Sequence, residues 1–302
     1  MLFLEYVVSG LLSGSAYSLV AIGFTLIFGV LDRLNIAHGA TIMVSAFAGA
    51  YVCLRLGGGE SYLVLLLSFA IASVAGAALG FLVWATAFAP LRNASPLAPF
   101  ITSAALALIL EETVVVLSRT IPEFLPEFSP YPTPLENLVF FVGPILIRGV
   151  HVVMFVVALI LMAVLQWWIK YSRTGRAIRA VEANPTAAWL MGINVRRVEI
   201  IVFVVASAIA GASGCLIGAA GGTVNAFMGA DLLLTTFVIV VVAGLGSIGG
   251  AMICGLAVGV IETVVVGLVS ASAKEAVLFV LLFAVLVLRP EGLMSAPRIG
   301  RD

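Results

Sequence analysis

The chain has 302 residues, 63% hydrophobic and 10% charged, where an ordinary soluble domain carries about 45–50% and 25%. A water-soluble globule is excluded, because 15 basic and 15 acidic side chains cannot clothe a protein of this length. The formal net charge is zero, with Lys170 and Lys274 the only lysines beside 13 arginines, so nothing points to a nucleic-acid partner.

Runs without any charged residue span 6–31, 34–54, 61–91, 93–110, 149–169, 200–230 and 232–261. Crossing about 30 Å of hydrocarbon takes roughly 20 apolar residues, so most of these suffice for one helix. The runs of 30 and 31 residues require a long tilted helix, two short helices, or a helix broken inside the membrane. In chain order, helices are predicted near 6–30, 37–54, 62–89, 98–118, 150–170, 199–220, 231–244, 249–267 and 275–289. This is an all-α polytopic membrane protein, one transmembrane domain over 1–302 with about nine helices, two of them short. The first lacks a basic leader, carries Glu5 and is too long for a secretion signal, so it reads as a span.

Between the fourth and fifth helices, 119–148 holds Pro122, Pro126, Pro130, Pro132 and Pro134. Prolines break helices and remove backbone donors, predicting an irregular loop over the membrane surface. Within it, LVFFVGPILI (138–147) is too short to span and reads as a small hairpin or an interfacial piece.

Basic residues near span ends set the orientation. The 170–197 connection carries Lys170, Arg173, Arg176, Arg179, Arg196 and Arg197 against Glu182 within it, which places it in the cytoplasm. Counting through the spans puts Arg33, Arg92, Arg289, Arg298 and Arg301 inside and the N-terminus outside; Arg55, Arg119 and Arg148 are exceptions and fall outside. Small-xxx-small pairs Gly10/Gly14, Gly76/Gly80, Gly214/Gly218 and Gly255/Gly259 predict close helix packing within a tight bundle. Cys53, Cys215 and Cys254 lack metal or disulfide spacing and read as buried thiols.

Two motifs mislead. GLGSIG at 244–249 matches a dinucleotide fingerprint, but 250–261 is apolar on every face and Glu262 arrives too early for the ribose-binding acid; the run reads instead as a tight break between short helices. GASG at 211–214 resembles the nucleophile motif of intramembrane proteases, yet His38 and His151 both precede it, so Ser213 reads as a packing residue. No P-loop motif is present, so any use of ATP belongs to a partner.

The most informative stretch is YSRTGRAIRAVEANPTAAWLMGINVRRVE, 171–199. Asn184-Pro185 reads as an N-cap followed by proline at the first helical position, and Gly192 as the glycine that ends the helix. Between them stand Ala187, Ala188, Trp189, Leu190 and Met191, too apolar for water. A second short helix, 175–183, carries Arg176 and Arg179 near one face and Glu182 at its end. A capped apolar knob flanked by basic residues suits docking into a groove of a soluble subunit; an interfacial loop on anionic lipid is the other reading.

This segment resembles the coupling loop of permease subunits of ABC importers in the branched-chain amino acid family, carried here by Gly175, Arg179, Ala180, Val181, Ala188, Leu190, Gly192, Ile193 and Asn194. SGSAYSLVAIGFTLIFGV (13–30), LNIAHGATIMVSAFAGAY (34–51), AGLGSIGGAMICGLAVGVIE (243–262) and LRPEGLM (288–294) are similar to the same family in the same order. The pattern is more like the H-type than the longer M-type subunit. The resemblance implies a non-enzymatic, cofactor-free bacterial inner-membrane subunit with a type II-like importer fold, N-terminus out and C-terminus in. It also implies a second homologous permease, two cytoplasmic ATPases, and a periplasmic binding protein delivering an amino acid, Leu, Ile or Val by family frequency. Other amino acids, urea or amides remain as alternatives. The ATPase-coupling candidates are Gly175, Arg176, Arg179, Glu182, Asn184, Pro185, Ala188, Leu190 and Gly192. The wider EAA loop of other importers has a different glutamate-to-glycine spacing, which weakens the role of Glu182.

Candidates for the translocation path are Asn35, His38 and Gly39 at the start of the second span, the break at Gly244, Gly246 and Gly249, and Glu111 and Glu112 in the inner part of the fourth span. Asn35 reads either as a helix cap or as part of a broken helix start facing the path; the counted topology makes it cytoplasmic unless the helix is re-entrant. The acids, with Glu262 in the eighth helix, must be protonated, paired or facing a wet cavity. A proton-coupled secondary transporter would use them as its engine and is the rival class; the docking segment argues against it.

Overall fold

In the computed structural model, residues 2–294 are described, apart from 93, 122–123, 136–137 and 143–144. Pro122, Arg298 and Arg301 therefore lie outside the described residues. The helices are α1 (Leu2–Leu31), α2 (Ala37–Arg55), α3 (Tyr62–Val83, continued by a π-helical turn Trp84–Phe88), α4 (Leu97–Thr120), α5 (Gly149–Tyr171), α6 (Arg173–Ala183), α7 (Pro185–Leu190), α8 (Val195–Gly221), α9 (Met228–Ala243), α10 (Ile248–Leu268) and α11 (Ala273–Leu288). Seven of them, α1 to α5, α8 and α10, are long and apolar enough to cross a membrane. The helices α9 and α11 have 16 residues each, about 24 Å at 1.5 Å per residue, which is shorter than the hydrocarbon core.

The three over-long runs resolve in three ways. Run 61–91 becomes one continuous helix, α3 with its π turn. Run 200–230 holds most of α8, which ends on Gly222 at φ +70, followed by an extended stretch before α9. Run 232–261 is broken between Ala243 and Ile248, where Gly244 and Gly246 take φ of +99 and +91 and the Ser247 hydroxyl caps α10 by accepting from Gly250 N–H at 3.1 Å.

The bundle is built on small residues. α1 and α10 pack antiparallel with Gly10 and Gly14 against Gly259 and Gly255: a Cβ on Gly14 would stand 2.9 Å from Gly255 O. Gly76 and Gly80 of α3 meet Ser207, Gly211 and Phe203 of α8, and Gly214 of α8 meets Ile42 of α2. The glycine pairs thus bring backbones of the same chain together, where dispersion rather than hydrophobicity holds helices in lipid. In its most apolar stretch α1 is 89% buried and α4 only 11%, so α1 is the central helix and α4 an outer one.

The expected surface loop is more ordered than its prolines suggested. The stretch 138–147 is largely a hairpin, β2 (Val139–Val142) antiparallel to β3 (Ile145–Arg148), while β1 (Ser129–Pro130) pairs with β4 (Thr223–Val224). Tyr131 drives into the bundle, its hydroxyl 3.2 Å from Ser68 Oγ and 2.9 Å from Cys215 Sγ. Gly49 and Gly218 make room for it. Burial pushes its phenol well above the ordinary value, so it stays neutral. All three cysteines are buried and unbridged.

Glu262 of α10 is paired, one of the three states open to it from the sequence: Tyr17 donates to its Oε1 at 2.8 Å and Lys274 Nζ lies 2.7 Å from the same oxygen.

Candidate functional site

At the end of the bundle carrying the basic connection, Ser172 caps α6 by accepting from Gly175 N–H at 2.8 Å, two residues earlier than the expected start. Gly175 fits because a Cβ would overlap Ile169 O at the end of α5. The Asn184 side chain accepts from Ala187 N–H at 2.9 Å, with Pro185 at the first helical position of α7. Gly192 N–H donates to Trp189 O at 2.9 Å and Ile193 N–H to Ala188 O at 3.0 Å, a Schellman closure with Gly192 at φ +83. Both ends of α7 are therefore locked by local chemistry, as the sequence indicated.

This frame turns Trp189, Leu190 and Met191 outward at 66%, 73% and 82% exposure, while Ala188 is buried. A groove of about 610 Å³ runs beside the knob, lined by Arg92, Pro185, Trp189, Ile193 and Arg196 among others. The candidates in this segment divide by the direction they face. Leu190 is on the outer face, and Arg176 is exposed, its guanidinium reaching Tyr171 O at 3.4 Å. Arg179 instead caps the end of α5, donating to Ile169 O and, at 3.3 Å, to Lys170 O. Glu182 faces the bundle: a methyl on Gly29 of α1 would stand 3.0 Å from Glu182 Oε1 and 3.6 Å from Gly246 Cα. Glu182 thus abuts the end of α1, and Gly246 of the α9–α10 break lies near the same Gly29.

A second set of contacts joins this end together. Arg33, in the link between α1 and α2, donates to Leu91 O and Arg92 O at 2.9 Å each. Arg92 lies 3.7 Å from Glu199 of α8, Trp84 Nε1–H reaches Glu199 Oε2 at 3.4 Å, and the Arg196 guanidinium stands over the Trp84 ring at 5.4 Å. Sequence reading used Arg33 and Arg92 only as orientation marks and passed over Trp84 and Glu199, whose partners are over 50 residues away.

The start of α2 lies deep in the bundle. His38, fully buried, donates from Nε2 to Val20 O at 3.3 Å and meets the Phe24 ring edge-on. Val20 is eleven residues before the end of α1, about 16 Å along its axis. Asn35 is only 2% exposed, its Oδ1 has no hydrogen-bond partner, and Ile36 N–H is taken by Ser103 Oγ at 3.2 Å. Asn35 is therefore enclosed rather than at the surface, as the re-entrant alternative required, and the helix cap is absent because its side chain accepts no first-turn N–H. Gly39 touches the start of α9: a Cβ on Gly229 would stand 2.7 Å from Gly39 O. Two helix starts thus meet inside the bundle, a contact not legible beforehand, because Gly229 is one of 30 glycines and belongs to no motif.

The break does not join this group. Gly246 lies at the level of Gly29 on α1, six residues from the Gly23 that abuts the His38 ring, and Gly292 packs on Gly244. Gly249 belongs to the first turn of α10 and takes no part in the turn itself. Glu111 and Glu112 also differ in depth from expectation: Glu111 is fourteen residues after Leu97 and nine before Thr120, nearer the proline-rich end than the basic end. Glu111 lines a cavity with the starts of α2 and α9, whereas Glu112 is exposed on the outer face of α4.

Seven helices long and apolar enough to cross a membrane, packed around helix starts that meet inside the bundle, define a polytopic membrane protein. The family described as the permease component of the branched-chain amino acid transport system matches residues 6–286. The chain is 31% identical to the high-affinity branched-chain amino acid transport system permease protein LivH of Salmonella typhimurium, over 99% of this chain and 97% of the relative. It is likewise 31% identical to BraD of Pseudomonas aeruginosa, over 99% and 98%, and to LivH of Escherichia coli, over 99% and 97%. The chain belongs to this permease family, as a multi-pass inner-membrane component of a transport system.

Proposed function

We propose that this chain is one permease subunit of an ATP-binding-cassette importer and forms, with a second homologous permease, the path for branched-chain amino acids into the cell. The observation carrying this reading is α7: a six-residue helix capped at both ends that holds Trp189, Leu190 and Met191 in water. An isolated transporter gains nothing from such exposure, whereas a soluble ATPase groove would bury it. The basic end is then cytoplasmic, two ATPases hold the α6–α7 segments of the permease pair, and a periplasmic binding protein meets the proline-rich end. ATP-driven closure of the ATPases would push α6 and α7. Glu182 against Gly29, which itself neighbours Gly246, and the Arg33–Arg92–Glu199 contacts, offer routes from there to α1, through α1 to the α9–α10 break, and to the link that enters α2. The path candidates are Asn35, His38, Gly39 and Glu111 at the inner helix starts, with Gly244 and Gly246 as a hinge.

Purification of the tagged chain in mild detergent tests this. Two ATPases and a second permease are expected to co-elute, and reconstituted vesicles are expected to take up leucine only with ATP and the binding protein. A chain that elutes alone and transports alone would refute the reading.

A further inference from the structure

Glu111 has no ion pair or hydrogen bond among the described residues. By count it stands about 21 Å along α4 from Leu97 and about 14 Å from Thr120, a depth at which an ionisable side chain is costly and marks function. It lines a cavity of about 240 Å³ whose other walls include Ile36, Ala40, Met43, Ala107 and Leu233. Those walls supply no second carboxylate, imidazole or amide, and no cluster of three metal-ligating side chains occurs among the described residues. A hard metal cation, which needs six or more oxygens, is therefore a poor match. The volume falls just below the roughly 300–1,000 Å³ typical of drug-sized ligands, the scale of a molecule with a handful of carbons.

Resting on the importer reading, we propose that this cavity is a station for the substrate within the membrane, where Glu111 pairs with the ammonium of an α-amino acid and the apolar wall receives its aliphatic side chain. The charge partner that Glu111 lacks among the described residues is then brought by the substrate, and the apolar walls strengthen the pairing. Polar substrates without an ammonium, such as urea or amides, would leave the carboxylate unmatched. The first turns of α2 and α9 border the same space, at Ile36, Ala40 and Gly229, and lie where the substrate carboxylate would point.

The test uses the whole permease–ATPase complex in nanodiscs, without binding protein, and saturation-transfer NMR with three probes: L-leucine, 3-methylbutylamine and 4-methylpentanoate. Transfer to leucine and to the amine is expected, with transfer to the acid weaker by about tenfold. Glu111→Gln is expected to remove the amine signal and, in sealed vesicles supplied with ATP and the binding protein, to lower leucine uptake at least about tenfold, with Glu111→Asp recovering part of both. Equal transfer to amine and acid in the wild-type complex, or leucine uptake by Glu111→Gln at the wild-type rate, would overturn the proposal. If Glu111→Gln fails to assemble, the comparison of probes on the wild-type complex decides alone. A wild-type complex without ATP-driven amino-acid uptake would overturn the importer reading instead.

Discussion

Leu190→Ala separates a docking role for α7 from a structural one. Leu190 is 73% exposed and its side chain makes no cap or core contact that holds the helix; those tasks fall to Asn184, Gly192 and buried Ala188. Trimming leucine to alanine removes about three buried methylenes' worth of transfer energy, each about 0.8 kcal/mol when fully buried. Scaled by the 73% that is still open to burial by a partner, the loss is about 1–2 kcal/mol, or roughly 5–30-fold in affinity. The assay is titration of purified ATPase subunit onto the permease pair in nanodiscs, read as a Kd. The variant is expected to bind roughly 5–30-fold more weakly while its melting temperature stays unchanged. An unchanged Kd would refute the reasoning, as would a loss of thermal stability comparable to the loss of binding. Trp189→Ala removes a larger surface from the wall of the adjoining groove and is expected to weaken binding further.

Three further outcomes follow from packing and charge. Gly229→Ala would place a Cβ 2.7 Å from Gly39 O, and because that neighbour is backbone the two helix starts must separate; a cost of about 1–3 kcal/mol is expected as a lower melting temperature, together with reduced leucine uptake. Lys274→Met leaves the buried Glu262 with only Tyr17 for a partner and is expected to destabilise the chain, while adding Glu262→Gln should restore most of the loss; a double variant no more stable than the single would count against the pairing. Gly192→Ala forces alanine into φ +83 and is expected to cost about 1 kcal/mol or more, read as faster proteolysis between α7 and α8 and weaker ATPase binding.

The elements legible in advance are those governed by local rules. Most span positions followed from the uncharged runs, and α7 from Asn184, Pro185 and Gly192, because a cap needs only neighbours three or four residues away. The hairpin at 139–148 and the break after Ala243 were legible for the same reason. The direction each coupling residue faces was not legible. Arg179 lies on the exposed segment yet caps α5, and Glu182 turns inward to Gly29, since both outcomes depend on how α6 docks against the helices around it.

Depth in the membrane is the other quantity hidden from the sequence. Charge counting made Asn35 cytoplasmic unless the second helix is re-entrant, because it assumes that each helix starts where the last one ended, whereas the 32–36 link runs into the bundle before α2 begins. By itself the sequence determined that this chain lives in lipid, where most of its spans lie, and which short helix is capped, because hydrophobicity and capping act over single turns. Only the tertiary structure decided that Gly39 meets Gly229, that Lys274 answers Glu262, and that Glu111 borders a cavity with no counter-charge. These depend on backbones that approach closely wherever small residues allow, and no local pattern encodes which glycine will meet which.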